Sequence, residues 1–232
     1  DHIILSADYS QIELRIIAAI SQDANMMEAF NRGEDIHTAT ASKVFNVQAA
    51  EVNKEMRRRA KAVNFGIAYG QSAFGLSQTL NIPRGEAKDI IDNYFTQFPG
   101  IKQYMIDTVT FAKQNGYIQT LLGRRRYLPE INERNFTVRA QAERNAINSP
   151  IQGSAADMIK VAMVKIHDRI KKLSLRSVMT LQVHDELVFD VYRPEVDTIK
   201  PLIEHEMKVA IPGLAVPIVV EMGTGDNWLD AH

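Results

Sequence analysis

The chain opens on a short apolar run, Ile3-Ile4-Leu5-Ser6-Ala7, that reads as a buried strand. It runs into a helix over about Gln11 to Ile20, because Ile12, Ile16, Ile17 and Ile20 keep helical spacing. Asn53 is placed to cap the next long helix, which extends through Tyr69 with Gly70 as its stop. Pro83 marks the start of another helix, which should end before Pro99-Gly100. Ile101 to Asn115 follows as a helix closed by Gly116. Tyr117–Leu121 and Arg126–Leu128 form a small hairpin around Leu122-Gly123-Arg124. Pro150 divides two further helical stretches, about Phe136–Asn148 and Ile151–Leu173.

From Ser177 the period changes to two. Met179, Leu181 and Val183 alternate with Val178, Thr180 and Gln182, and Leu187, Phe189 and Val191 resume the alternation beyond His184-Asp185-Glu186. A last strand, about Val216 to Met222, precedes a glycine-rich tail. Strands at both ends with helices between predict an α+β fold, a sheet platform carrying a mostly helical insertion. No linker, repeat or low-complexity segment interrupts it.

Composition narrows the class. The 232 residues suffice for one large domain or two modest ones, and 45% hydrophobic content supplies a core. No apolar run approaches the roughly 20 residues that span a bilayer, and no membrane partner is expected. With no cysteine, disulfides and thiolate metal sites are excluded. The net charge of −1 argues against nucleic acid only on average, since phosphate contact needs a local basic surface. Two such surfaces exist in the sequence: Lys54, Arg57, Arg58, Arg59 and Lys61, opposed only by Glu55, and the hairpin cluster Arg124-Arg125-Arg126.

Carboxylates sit at the tips of two apolar runs, Asp8 at the first and Asp185-Glu186 at the second. A strand end fixes the backbone while the side chain projects, and two such ends side by side can bridge two magnesium ions about 3.5–4 Å apart. Each cluster alone has an ordinary reading, Asp8 as a helix cap and Asp185-Glu186 as a polar hairpin tip. Their conjunction is rarer. Between them Arg57, Lys61, Phe65 and Tyr69 recur every four residues, so neighbours share a helix face over roughly 18 Å. Cations at one end suit a triphosphate, and aromatics at the other suit a sugar and base. The competing reading is a solvated arginine face with Phe65 and Tyr69 in the core. Gly66 and Gly70 weaken it, because glycine within a helix costs about 1 kcal/mol and permits close approach.

Asp-Tyr-Ser-Gln-Ile-Glu-Leu-Arg at 8–15, Arg57-x3-Lys61-x3-Phe65-Gly66-x2-Tyr69-Gly70, and Val183-His184-Asp185-Glu186 resemble the three signature motifs of the family A DNA polymerases. The resemblance extends through Leu122-Gly123-Arg124-Arg125 and 146–153 to Trp228, essentially the whole chain. It implies a partial antiparallel palm sheet with a helical fingers insertion, the palm at about 1–28 and 140–232 and the fingers at 29–139. It implies Asp8, Asp185 and the backbone carbonyl of Tyr9 as ligands to two Mg2+ ions, with Glu186 supporting. Arg57 and Lys61 would hold the triphosphate, Lys61 also protonating departing pyrophosphate. Phe65 would lie against the sugar, Tyr69 near the template, and Glu13 would exclude a 2′-hydroxyl. His184 would sit by the primer terminus, and Arg144, Asn148 and Gln152 would contact primer-template DNA.

The implied activity is template-directed transfer of a deoxynucleotide from dNTP to a primer 3′-hydroxyl in replication and repair, in a bacterial cytoplasm, by a parent protein expected to be monomeric. A thumb and exonuclease-type domains are not recognisable here, so the chain reads as a palm-and-fingers portion with weak activity of its own. Three alternatives stay open: a nucleotide and primer-template binder without catalysis, a single-subunit RNA polymerase, and a metal-dependent nuclease or phosphatase. Glu13 and the His-Asp-Glu tip favour DNA over RNA synthesis, and the 57-61-65-69 stripe has no role in a nuclease. His37, His167 and His205 lack metal-ligand spacing and read as structural or exposed.

Overall fold

A four-stranded antiparallel sheet, in the order β4 (Val178–Val183), β5 (Glu186–Tyr192), β1 (His2–Tyr9), β6 (Val220–Gly225), carries both carboxylate clusters. The computed structural model describes residues 1–232 and divides into two compact units, Asp1–Ile12 with Ala155–His232, and Glu13–Ser154. In the first unit β1 (His2–Tyr9) pairs on one side with β5 (Glu186–Tyr192) and on the other with β6 (Val220–Gly225). β4 (Val178–Val183) completes the sheet at the outer edge of β5. The helix α9 (Val196–Lys208) packs on β1, β5 and β6. Leu5, Ala7, Leu187, Phe189, Val191, Ile199, Ile203 and Met207 are fully enclosed there. A short helix, α10 (Trp228–Ala231), lies on β6 and β1.

The second unit is helical: α1 (Ile12–Ser21, from Glu13 onward), α2 (Ala24–Asn31), α3 (Ile36–Phe45), α4 (Lys54–Ala68), α5 (Ala73–Leu80), α6 (Arg84–Gln97) and α7 (Pro99–Asn115). A hairpin follows, β2 (Tyr117–Gln119) with β3 (Arg125–Tyr127). The core there is Leu14, Ile16, Ile17, Met26, Ile36, Val63, Leu76, Tyr94, Phe98 and Ile101. Helix ends follow local chemistry. Asn53 accepts from the Met56 amide at 2.9 Å, Asp35 accepts from the Thr38 amide at 2.8 Å, and Gly70 and Gly116 take left-handed backbone where α4 and α7 stop.

Three expectations are corrected. The two helices expected around Pro150 are one, α8 (Phe136–Lys172), with Pro150 inside it. A proline there removes a backbone donor and crowds the preceding turn. The carbonyl that loses its helical donor is that of Ala146; Tyr104 braces the turn beside it, its hydroxyl donating to the Ile147 carbonyl at 3.0 Å. In β4 a bulge between Met179 and Leu181 breaks the expected alternation, and Leu181 is 52% exposed. The last strand begins at Val220 rather than Val216 and continues through the glycines, since its ladder with β1 starts at Tyr9↔Val220.

Candidate functional site

In the sheet unit the pairing of β1 with β5 decides the site. Asp8 stands opposite Glu186 in the ladder, and the Tyr9 amide donates to the Asp185 carbonyl at 3.2 Å. The two-residue turn His184-Asp185 thereby meets the end of β1 across about 180 residues of sequence. His184 holds left-handed backbone at φ 53, a conformation costing roughly 1–2 kcal/mol for a residue with a Cβ. Asp8 is half-buried, and burial followed by the charges of Asp185, Glu186 and Glu221 pushes its pKa up to about 6, with His232 working the other way. Glu221 was not legible as a site residue; it arrives opposite Asp8 only through the β1–β6 register.

This crowd of carboxylates is what a divalent cation relieves. No three acidic or histidine side chains converge to cage an ion unaided. Magnesium does not require such a cage, since it keeps several waters and takes one or two carboxylates plus substrate phosphates. Asp8 and Asp185 are therefore a fitting donor pair for hard cations. Tyr9 is compatible with a backbone role alone: its ring is buried and its hydroxyl donates to the Met207 carbonyl at 2.8 Å.

In the helical unit α4 presents the stripe. Lys61 is exposed and forms no ion pair, whereas Arg57 is bidentate to Asp35 through Nε at 3.0 Å and Nη2 at 2.8 Å. Arg58 pairs with Glu55, and Arg59 with Glu55 and Glu86, so the basic run is more compensated than Glu55 alone suggested. Phe65 and Tyr69 are half-buried and stack on each other, ring centroids 6.3 Å apart and planes 23° off parallel. They are not core residues.

Tyr69 donates its hydroxyl to the Glu13 carboxylate, and its carbonyl accepts from Asn148 Nδ2 at 3.3 Å. Asn148 Oδ1 is buried without a partner. Arg144 donates to Gln141 and lies against Gly70. The room at Gly66 is filled from within the protein: a Cβ there would collide with the Gln71 side-chain amide. Gln71 is thus what makes the close approach that glycine permits there.

Two residues that motif spacing did not single out sit beside the stripe. His37 is buried, exchanges a hydrogen bond with Asn64 Nδ2 at 3.1 Å, and lies 5.9 Å from the Phe65 ring. Burial, then the neighbouring charges of Arg57 and Lys61, lowers its pKa to about 4 against a partial pull upward from Asp35. Asp35 itself resists burial through hydrogen bonds from Arg57 and Thr38, which hold it down at about 2. No local pattern marks either residue. At the hairpin, Arg124 donates to the Gly153 carbonyl at 3.1 Å and Arg126 to Ser149 Oγ at 2.7 Å, lining a cavity of about 190 Å³ with Gln152.

Residues 1–230 match the family described as DNA polymerase family A. DNA polymerase I of Geobacillus stearothermophilus is 52% identical over 231 residues, covering all of this chain and 26% of the relative. That of Bacillus caldotenax is 53% identical with the same coverage. Among solved structures, the POL domain of Pol1 from M. smegmatis, in complex with DNA primer-template and dNTP, superposes with a TM-score of 0.96 at 50% identity. The match takes in 99% of this chain and 40% of that one. The chain spans about a quarter of the length of the curated relatives it matches.

Proposed function

Because the chain belongs to DNA polymerase family A, we propose that it carries the nucleotidyl-transfer chemistry of a template-directed DNA polymerase, acting on primer-template DNA and dNTPs in a bacterial cytoplasm. The observation that carries this reading is the adjacency of Asp8 to Asp185 and Glu186, with the Asp8 carboxyl pushed up to about 6 by burial and by those neighbours. The palm is read as about 1–28 and 140–232 and the fingers as 29–139. None of the helices is long and apolar enough to cross a membrane.

In this reading Asp8, Asp185 and the Tyr9 carbonyl hold two Mg2+ ions, and Glu186 supports them. Bound there, the ions would lower the pKa of the primer 3′-hydroxyl and neutralise phosphate charge. The hydroxyl gives its proton to water, its oxygen bonds to the α-phosphorus, the bond from that phosphorus to the bridging oxygen of the β-phosphate breaks, and pyrophosphate leaves. Arg57 and Lys61 bind the triphosphate, and Lys61 supplies a proton to the departing pyrophosphate. Phe65 packs on the sugar and Tyr69 lies toward the template. Glu13, held by Tyr69, closes the space a 2′-hydroxyl would need. His184 contacts the primer terminus, and Arg144, Asn148 and Gln152 contact the duplex.

The single-subunit RNA polymerase reading is the less well supported one, because Tyr69 holds the Glu13 carboxylate to which this proposal assigns selection against ribose. Primer extension with Mg2+ tests the proposal. Templated extension preferring dNTP over rNTP and lost in Asp185→Ala supports it; equal extension by that variant overturns it.

A further inference from the structure

Glu186 is 4% exposed, and a carboxylate removed from water to that degree needs donors. It has them on one oxygen only. Ser6 Oγ donates to Oε1 at 2.6 Å and Trp228 Nε1 donates to the same Oε1 at 2.7 Å, with His232 Nδ1 3.7 Å away. Oε2 has no protein donor.

The indole arrives by a built route. β6 carries glycine at 223 and 225, and a Cβ at 223 would strike the Ala231 carbonyl, while one at 225 would lie 2.5–2.7 Å from atoms of Asp230 and Ala231. Those two missing side chains are the seat of α10. Asn227 caps it, accepting from the Asp230 amide at 3.1 Å. Trp228 is 43% exposed, so its ring does not serve chiefly as a core plug. What the seated helix delivers is an N–H group aimed at a buried carboxylate.

We propose that Trp228, together with Ser6, is a positioning residue for the divalent-cation site: the two donors pin Oε1 of Glu186 and leave Oε2 for a cation or its coordinated water. The inference rests on the reading of Asp8 and Asp185 as cation ligands. Pinning fixes the rotamer of the third carboxylate of the cluster, and loss of an outer-shell donor of this kind typically costs about 10–100-fold in metal affinity.

Mn2+ binding to this chain, followed by the loss of the free-ion electron paramagnetic resonance signal, tests it without reference to turnover. Trp228→Phe keeps an aromatic ring and removes the donor; it is expected to weaken Mn2+ binding about tenfold. In a Glu186→Gln background the same change is expected to have less than about a twofold effect, because the carboxylate it orients is gone. The chain has one tryptophan, so its emission reads this contact directly, and Glu186→Gln is expected to shift it. Unchanged Mn2+ affinity in Trp228→Phe, or equal losses in both backgrounds, overturns the positioning role. Should Trp228→Phe fail to fold, Ser6→Ala removes the other donor away from α10, and the same outcomes decide. Wild-type binding no tighter than that of Asp185→Ala overturns the cation reading itself and this inference with it.

Discussion

Tyr69 donates its phenolic hydroxyl to the carboxylate of Glu13, 56 residues earlier in the chain. The contact joins the end of the α4 stripe to the start of α1 and fixes the rotamer of a carboxylate whose proposed task is steric. Removing the carboxylate removes the obstacle. Glu13→Ala is expected to raise ribonucleotide incorporation, relative to deoxyribonucleotide, by about tenfold or more. Tyr69→Phe leaves the carboxylate in place but unheld, losing a hydrogen bond worth about 1 kcal/mol, and should shift the same ratio by roughly fivefold. Competition between the two nucleotide classes on one primer-template measures both.

Lys61 is the exposed, unpaired cation of the stripe, whereas Arg57 already has Asp35 as a counter-ion. Charge grows on pyrophosphate as it departs, so Lys61 should matter more in the transition state than in the ground state. Lys61→Ala is expected to lower the single-turnover rate by about 100-fold while changing the apparent dNTP affinity far less. Equal losses in rate and affinity would contradict that role.

Asp35 does two jobs, capping α3 and pairing with Arg57. Asparagine caps as well as aspartate but carries no charge, which separates them. Asp35→Ala should cost about 1–2 kcal/mol in urea unfolding, chiefly through the lost cap. Asp35→Asn should cost less than about 1 kcal/mol, as befits an ion pair at the surface.

Two titrating groups give opposite pH signatures. Asp8 in the folded chain holds its proton to about pH 6, above the ordinary carboxylate value of 3.8, so its contribution worsens as pH rises through that window and is fully unfavourable at pH 7. Asp8→Asn is therefore expected to abolish catalysis while stabilising the metal-free chain by about 1–2 kcal/mol at pH 7, after allowance for solvent screening, and the gain should fade toward pH 4. His37, lowered to about 4 from 6.5, stays neutral in the folded state while the unfolded chain takes up a proton. Its cost appears as pH falls from about 6.5 to 4 and is absent above. His37→Gln should flatten that acid limb. Urea midpoints at pH 7, 5 and 4 for the three chains check both signs.

The sequence alone determined the element types, most of the helix ends, the carboxylates at apolar tips and the four-residue stripe of α4. These are short-range properties: a cap such as Asn53 or a period of 3.6 acts within a turn or two of its own position. The tertiary structure decided everything that depends on which distant segments meet. Ladder register put Asp8 against Asp185, Glu186 and Glu221, and packing gave Arg57 its partner Asp35. It also carried α8 through Pro150, with Tyr104 from α7 taking the Ile147 carbonyl. Burial, Coulomb interactions and hydrogen bonds between distant segments act through space rather than along the chain; the first two set the protonation of Asp8, and the donors Ser6 and Trp228 orient Glu186.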